Sequence, residues 1–257
     1  MADPHAAVAK ALQTYDEIKI VSIIRDPVKR AYSAYWHMRG KNDASETRSL
    51  EAVMSDLPAG ASEAELFDAE NTALENAAEK GEINRDYLSI DYLRREMGPS
   101  APDFHAPDPL WCHRYFGESC FAHLLEKLDG GIGSVQHQSF VLEELMRSHA
   151  AQESLFNFVG GQGKIGVAFE DMPASNPGLV RGRLGGLAQI KQMRLGKALL
   201  DRTPKAFKTK LKSLMFQKNP QIAPEEYHKM RDILAAEFEY WKSRGVSTEA
   251  LWRPLAG

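Results

Sequence analysis

The sequence predicts a helix-rich α/β fold in which a parallel sheet is flanked by helices. The segment from Ile18 to Ile24 is rich in β-branched residues and short enough to be a buried strand. A second short apolar segment, Ser139–Leu142, stands far downstream, and helical patterns fill much of the sequence between the two. Strands that alternate with helices favour parallel pairing.

Helical patterns account for most of the remaining sequence. We predict them over residues 6–15, 49–56, 62–79, about 87–96, 115–128, 143–158 and 225–243. Four prolines between residues 99 and 109 predict an extended connection, because proline is excluded from helix interiors. The pair Gly130-Gly131 is a helix-ending signal after residue 128.

The composition is that of one packed globular domain. The chain has 257 residues, of which 43% are hydrophobic and 9% aromatic. We therefore expect a single domain over 1–257, with a helical insertion at about 44–110. The net charge of −3 disfavours a general nucleic-acid binder. No run approaches the ~20 apolar residues of a membrane helix, and no signal-peptide pattern stands at the N-terminus.

The junction after the first strand predicts an anion-binding corner. Asp26 is suited to cap the following helix and Pro27 to its first turn. Arg25 then stands at the carboxyl end of the strand, and Ser33 lies about two turns into the helix. Ligands bind at this edge of open α/β sheets, and a guanidinium suits a phosphate bidentately.

The sequence Arg25-Asp26-Pro27, followed by Arg30-Ala31-Tyr32-Ser33, resembles the second nucleotide-binding motif of the sulfotransferase family. The resemblance implies a P-loop-NTPase-like parallel sheet. It also implies that Arg25 and Ser33 hold the 3′-phosphate of 3′-phosphoadenosine 5′-phosphosulfate (PAPS). The reaction would be transfer of a sulfuryl group to a hydroxyl or amine acceptor, for example on a carbohydrate, with no metal expected. The alternative is an ordinary strand–turn–helix whose basic side chains are solvated.

Weaker matches to the same family follow along the chain. Gly117, the Val141–Leu145 stretch and Phe158-Val159-Gly160 occupy places that resemble family elements, although Ser119 replaces the usual tyrosine. The segment Asn219–Glu226 and the helix after it resemble the family's closing segment. Only the first motif is specific.

The family's first strand and its Gly-rich phosphosulfate loop have no counterpart here. Residues 1–17 contain no glycine, and no catalytic Glu or His is identified, so the catalytic residues are unknown. We therefore expect an N-terminally truncated domain, while a degenerate nucleotide-binding relative and an active variant with reassigned groups stay open. The segment Gly160–Gly166 departs from the Walker pattern and follows a helix, so a helix-ending turn is favoured. A lost anchor would place the protein in the Golgi lumen; otherwise it is cytoplasmic.

Four further residues are weaker candidates. Lys218 could face the 3′-phosphate and His37 an acceptor, but solvated side chains are the commoner outcome for both. Cys112 and Cys120, with nearby histidines at 105, 113 and 123, fit no standard zinc spacing.

A noncatalytic function is the alternative from another class. In this interpretation the chain is a nucleotide-binding or protein-interaction module derived from the same fold, with helices 62–79 and 143–158 as partner surfaces. A P-loop kinase-like enzyme is disfavoured because no Walker lysine is apparent.

Overall fold

The computed structural model describes residues 8, 10–40, 46–87, 95, 110–122, 125–126, 135–160, 179–181, 216–218 and 220–252. The predicted helix at about 87–96 lies almost wholly outside these residues, as does the proline-rich connection. Within the described residues the chain is a helix-rich α/β structure with a small parallel sheet.

The parallel sheet consists of β1 (Ile18–Ile24) and β2 (Val135–Val141). Its register pairs Ile18 with Val135 at one end and Ile24 with Val141 at the other. The predicted parallel arrangement is confirmed for these two strands, but the prediction that β1 is buried is wrong, because only Ile24 is buried and Ile23 is 55% exposed. The second strand begins earlier than predicted, and Leu142 belongs to the following helix.

Two short strands form a separate antiparallel pair. These are β3 (Leu179–Arg181) and β4 (Phe216–Lys218), and Leu179 pairs with Lys218. The sequence analysis predicted neither strand.

The helices of the described residues are α1 (Pro27–Arg39), α2 (Leu50–Ser55), α3 (Glu63–Glu79), α4 (Leu142–Leu145), α5 (His149–Phe158), α6 (Pro224–Ile233), α7 (Ala235–Ser243) and α8 (Thr248–Leu251). Serine hydroxyls cap α2, α3 and α5. Ser62 and Glu65 form a full capping box at the start of α3, where each side chain accepts the other's backbone N–H.

Two long helices of the prediction are each divided in two. The predicted helix over 143–158 is wrong as one element, because the Ser148 hydroxyl accepts the Ala151 N–H over 3.2 Å and starts α5 anew. The predicted helix over 225–243 divides at Leu234, which leaves helical geometry (φ −91°, ψ 17°) between α6 and α7.

The predicted helix over 115–128 is wrong over its first residues. Gly117–Ser119 form a 3-10 turn, and helical residues appear only from Ala122 onward. The physical reason is that the backbone N–H groups of Phe121 and Ala122 donate to the carboxylate of Glu237 instead of to carbonyls one turn earlier.

The main core joins the end of β1 to α1, the 3-10 turn and the C-terminal helices. Its largest fully buried side chains are Trp252, Tyr35, Tyr115, Tyr227, Phe116, Ile24 and Leu66. The rings of Tyr35 and Tyr115 meet edge to face at 5.6 Å between centroids, and those of Phe238 and Trp252 at 5.5 Å. This core fixes the direction in which α1 leaves the sheet.

Candidate functional site

The candidate site lies where β1 and β2 end side by side. Because the strands are parallel and Ile24 stands beside Val141, the residues that follow both strands meet at the carboxyl edge of the sheet. The backbone N–H of Asp26 donates to Oε1 of Glu143 over 3.1 Å. This hydrogen bond ties the start of α1 to the start of α4.

Asp26 caps α1 as predicted and is fully buried. Its Oδ1 accepts the backbone N–H groups of Val28 and Lys29 over 3.0 and 3.2 Å. Its Oδ2 accepts the hydroxyl of Tyr227 over 2.9 Å and lies 3.3 Å from the Lys29 ammonium. Burial raises the pKa of Asp26, and Lys29 opposes that rise. Both carboxylate oxygens are therefore engaged by the protein itself.

Glu143 is also engaged at both oxygens. While Oε1 accepts from Asp26, Oε2 accepts the indole N–H of Trp252 over 3.1 Å. Trp252 is fully buried, so this indole N–H depends on Glu143 for its hydrogen bond.

The Arg25 guanidinium lies in the field of these two carboxylates without bonding to either. Burial lowers its pKa, while the charges of Glu143 and Asp26 raise it. This guanidinium makes no hydrogen bond or ion pair with a described residue, whereas the two carboxylates accept from backbone, hydroxyl and indole donors. A half-buried guanidinium in this state has its donors available to an external anion.

Ser33, the second predicted ligand, lies in the second turn of α1 and is half-buried. Its hydroxyl makes no hydrogen bond to another described residue. The structure therefore places Arg25 and Ser33 on one strand–helix unit, at its corner and on the helix that leaves it.

Arg30 is a residue that the sequence analysis did not select for the site. It lies three positions before Ser33, and residues at that spacing are neighbours on a helix surface. It is half-buried: its Nη1 donates to Oγ of Ser119 over 3.1 Å, and its guanidinium lies 5.1 Å from the ring centroid of Phe121. The helical spacing was the signal that could have identified it.

The pKa of Arg30 shows what surrounds it. Burial lowers this pKa most, the charge of Glu118 raises it, and the like charge of Arg25 lowers it. The two guanidinium groups are therefore close enough to repel each other. Both arginines are half-buried, so their guanidinium groups are only partly solvated.

The turn that holds Ser119 is fixed by a buried carboxylate. Glu70 of α3 accepts the N–H of Phe116 over 3.0 Å and that of Gly117 over 2.7 Å. Burial raises the pKa of Glu70 to about 7, and these hydrogen bonds oppose the rise. A Cβ at Gly117 would lie 2.7 Å from Cδ2 of Phe67, so the close approach of the turn to α3 requires glycine.

A groove of about 660 Å³ lies nearby and has the opposite electrostatic character. Its lining includes the carboxylates of Glu63, Asp68, Glu126 and Glu237, together with apolar side chains of α3, α6 and α7. No lysine or arginine lines it among the described residues. A phosphate would be repelled there, so the candidate anion site is the corner at Arg25 and not this groove.

The other predicted candidates do not join the corner. His37 is exposed near the end of α1. Lys218 lies in β4, and the placement of its side chain is outside the described structure. Gly160 ends α5 with a φ of +85°, and residues 161–166 lie outside the described residues.

The cysteines are free thiols. Burial raises the pKa of Cys112 to about 12 and raises that of Cys120 further still, so both are protonated near neutral pH. The described residues contain no group of three or more His, Cys, Asp or Glu side chains placed to hold a metal ion. His105 and His123 lie outside them.

Comparison with known proteins gives no relative of this chain. No family model, curated protein or solved structure matches it. A search of the described helices finds none with the length and apolar character needed to cross a membrane. The candidate site therefore stands on its own geometry and on the motif at its centre.

Proposed function

We propose that this protein is a sulfotransferase-like protein of P-loop-like fold that binds the adenosine 3′,5′-bisphosphate part of PAPS at the β1–α1 corner. The observation that carries the proposal is Arg25. It is a half-buried guanidinium at the carboxyl edge of two parallel strands, and both carboxylates beside it are engaged by other donors.

The corner has the chemistry that a phosphate monoester needs. The Arg25 fork provides charge-assisted hydrogen bonds, and the half-buried Ser33 hydroxyl provides one more donor. The capped first turn of α1 and the Asp26–Glu143 hydrogen bond hold the corner in one arrangement before any ligand arrives. Such preorganisation lowers the cost of binding.

The reaction proposed for the bound donor is transfer of its sulfuryl group to a hydroxyl or amine. The bond between sulfur and the bridging oxygen breaks, a bond from sulfur to the acceptor forms, and the acceptor loses a proton. Adenosine 3′,5′-bisphosphate leaves with the electron pair of the broken bond. The role that falls to Arg25 and Ser33 is to hold the 3′-phosphate and thereby orient the donor.

The test is calorimetric titration of the full chain with adenosine 3′,5′-bisphosphate. We expect binding by the wild-type chain and a loss of about tenfold to a hundredfold in affinity for Arg25→Ala, because one charge-assisted contact is removed. Ser33→Ala should cost less, and Arg85→Ala, an exposed arginine paired with Glu75, should cost nothing.

Two controls separate recognition of the 3′-phosphate from charge attraction in general. Adenosine 5′-monophosphate, which lacks that phosphate, should bind at least tenfold more weakly to the wild-type chain. Equal affinity for the two nucleotides, or equal affinity of the wild-type and Arg25→Ala chains, would contradict the proposal. Binding without release of the bisphosphate from PAPS in the presence of hydroxyl and amine acceptors would favour the noncatalytic alternative.

A further inference from the structure

The β1–α1 corner contains a second cationic side chain, Arg30, beside Arg25. Arg30 lies in the second turn of α1, and its backbone N–H makes the first helical hydrogen bond to the carbonyl of Asp26 over 3.0 Å. Its side chain is half-buried and directed to the 3-10 turn, where Ser119 accepts from Nη1. A guanidinium has five N–H donors, so this contact leaves most of them available.

Arg25 and Arg30 are two half-buried like charges at the start of α1. Arg25 directly precedes the capping residue Asp26, and Arg30 is the fourth residue of the helix, and side chains at these two positions face each other across the first turn. In agreement with this placement, the charge of Arg25 lowers the pKa of Arg30. Glu118 acts on Arg30 electrostatically, but no ion pair joins the two within the described residues. Glu143, Asp26 and Glu118 act on the two guanidinium groups through their charges only, so one anion that contacts both guanidinium groups adds direct hydrogen bonds to two cations that repel each other.

The position of Arg30 is fixed from outside α1. The Ser119 hydroxyl donates to the carbonyl of Tyr115 and accepts from Arg30, so its orientation is set. The turn that carries Ser119 is in turn held by Glu70, and the Arg30 guanidinium also packs over the Phe121 ring. A long side chain that is supported on two sides loses little freedom when a ligand binds.

We propose that Arg30 is a second ligand of the anion at Arg25, so that the corner selects a doubly charged phosphate monoester over a singly charged sulfate monoester. The location of the anion rests on the function proposed above, whereas the selectivity between charges does not depend on the nucleotide. Ser119 and Glu70 are then positioning residues, because they act on the anion only through Arg30.

The test uses two small esters of the same shape, phenyl phosphate and phenyl sulfate, titrated into the full chain by proton NMR near pH 7.5. Phenyl phosphate is largely a dianion there and phenyl sulfate a monoanion, since the second pKa of a phosphate monoester is about 6. We expect the wild-type chain to prefer phenyl phosphate by roughly tenfold or more. Arg30→Gln should reduce that preference to about twofold, and Arg25→Ala should weaken the binding of both esters.

Matched variants separate a direct contact from a change in net charge or in folding. Arg85→Gln removes the same charge from an exposed side chain that pairs with Glu75, and should leave the preference unchanged. Ser119→Ala should weaken phenyl phosphate binding about threefold in the wild-type chain and have no effect in the Arg30→Gln chain. Arg30→Lys, which keeps the charge, should retain part of the preference if Arg30→Gln folds poorly.

The outcomes distinguish this inference from the proposed function. If adenosine 3′,5′-bisphosphate does not bind but the phenyl phosphate preference requires Arg30, the nucleotide function fails and the two-arginine site stands. If Arg25→Ala abolishes nucleotide binding while Arg30→Gln keeps the full preference for phenyl phosphate, the inference about Arg30 is overturned and the function stands. Failure of the wild-type chain to bind either ester overturns the inference.

Discussion

Two regions of the molecule treat buried charge in opposite ways. In the segment 116–122, carboxylates from other elements accept successive backbone N–H groups: Glu70 accepts from Phe116 and Gly117, and Glu237 accepts from Phe121 and Ala122. At the β1–α1 corner, in contrast, the Arg25 guanidinium makes no hydrogen bond or ion pair with a described residue, although the charges of Glu143 and Asp26 act on it.

The two regions differ in whether the chain itself provides the hydrogen-bonding partner. In the segment 116–122 the chain provides the acceptors, the carboxyl groups of Glu70 and Glu237, and their hydrogen bonds fix a turn that helix propensity alone does not predict. At the corner Asp26 and Glu143 accept from backbone, hydroxyl and indole donors, and the Arg25 guanidinium makes no hydrogen bond with a described residue although both charges act on it. A buried carboxyl group that accepts backbone N–H groups holds the turn in place, whereas a half-buried guanidinium without a hydrogen bond has donors available to a ligand.

The largest effect that tests this comparison is expected from Glu70→Ala. The substitution leaves the N–H groups of Phe116 and Gly117 buried without an acceptor, and the free energy of unfolding should fall by roughly 2–4 kcal/mol. Urea unfolding near neutral pH measures the loss.

The matched control is Asp68→Ala, an exposed carboxylate on the same helix. It should change the free energy of unfolding by no more than about 0.5 kcal/mol. If the two variants lose the same stability, Glu70 does not act as an internal anion for the turn.

A second test is the pH dependence of stability. The pKa of Glu70 is raised from 4.5 to about 7 in the folded chain, so the folded state holds a proton that the unfolded chain releases. The stability of the wild-type chain should therefore fall as pH rises from about 5 to 7, by up to about 1.4 kcal/mol per pH unit.

Glu70→Gln isolates this contribution, because Asp26 and Glu237, whose pKa values are also raised, remain in both chains. The difference between the two unfolding profiles should have its slope in that window and flatten above it. Parallel profiles for the two chains would show that Glu70 is ionised throughout.

The sequence was sufficient for the corner because its signals are local. Capping by Asp26, the proline at the first turn and the β-branched strand are decided within a few residues, and the structure has each of them. Parallel pairing with β2 followed from the alternation of strands and helices. These signals placed Arg25 and Ser33 without knowledge of the remaining fold.

The sequence was insufficient where distant residues decide the outcome. The helical pattern after Tyr115 is real, but Glu237, 116 residues after Phe121, accepts the N–H that a helix begun at Tyr115 would direct to the Gly117 carbonyl. Glu70, 46 residues before Phe116, holds the preceding turn in the same way. Similarly, the helical spacing to Ser33 points to Arg30, but nothing local shows that Ser119 will orient its guanidinium.

The smallest effect, and the most specific to the comparison, is expected from Trp252→Phe. The change keeps an aromatic ring against Phe238 but removes the indole N–H that occupies Oε2 of Glu143. The freed oxygen can then accept from Arg25, whose field it already shares, and an internal ion pair replaces the missing anion. Adenosine 3′,5′-bisphosphate, or phenyl phosphate, should bind about threefold more weakly in calorimetric or NMR titration, which corresponds to a partial neutralisation of Arg25.

Trp241→Phe is the matched control for this change, since the Trp241 indole N–H donates to Glu237 over 2.6 Å in the region that has its own anions. Both variants remove a buried indole N–H from a carboxylate, so both should lose stability to a similar degree. Only Trp252→Phe should weaken anion binding, because Glu143, unlike Glu237, acts on the Arg25 guanidinium, which makes no hydrogen bond with a described residue. Equal weakening by both variants would mean that affinity follows stability alone, and the contrast between the two regions would then carry no information about where a ligand binds.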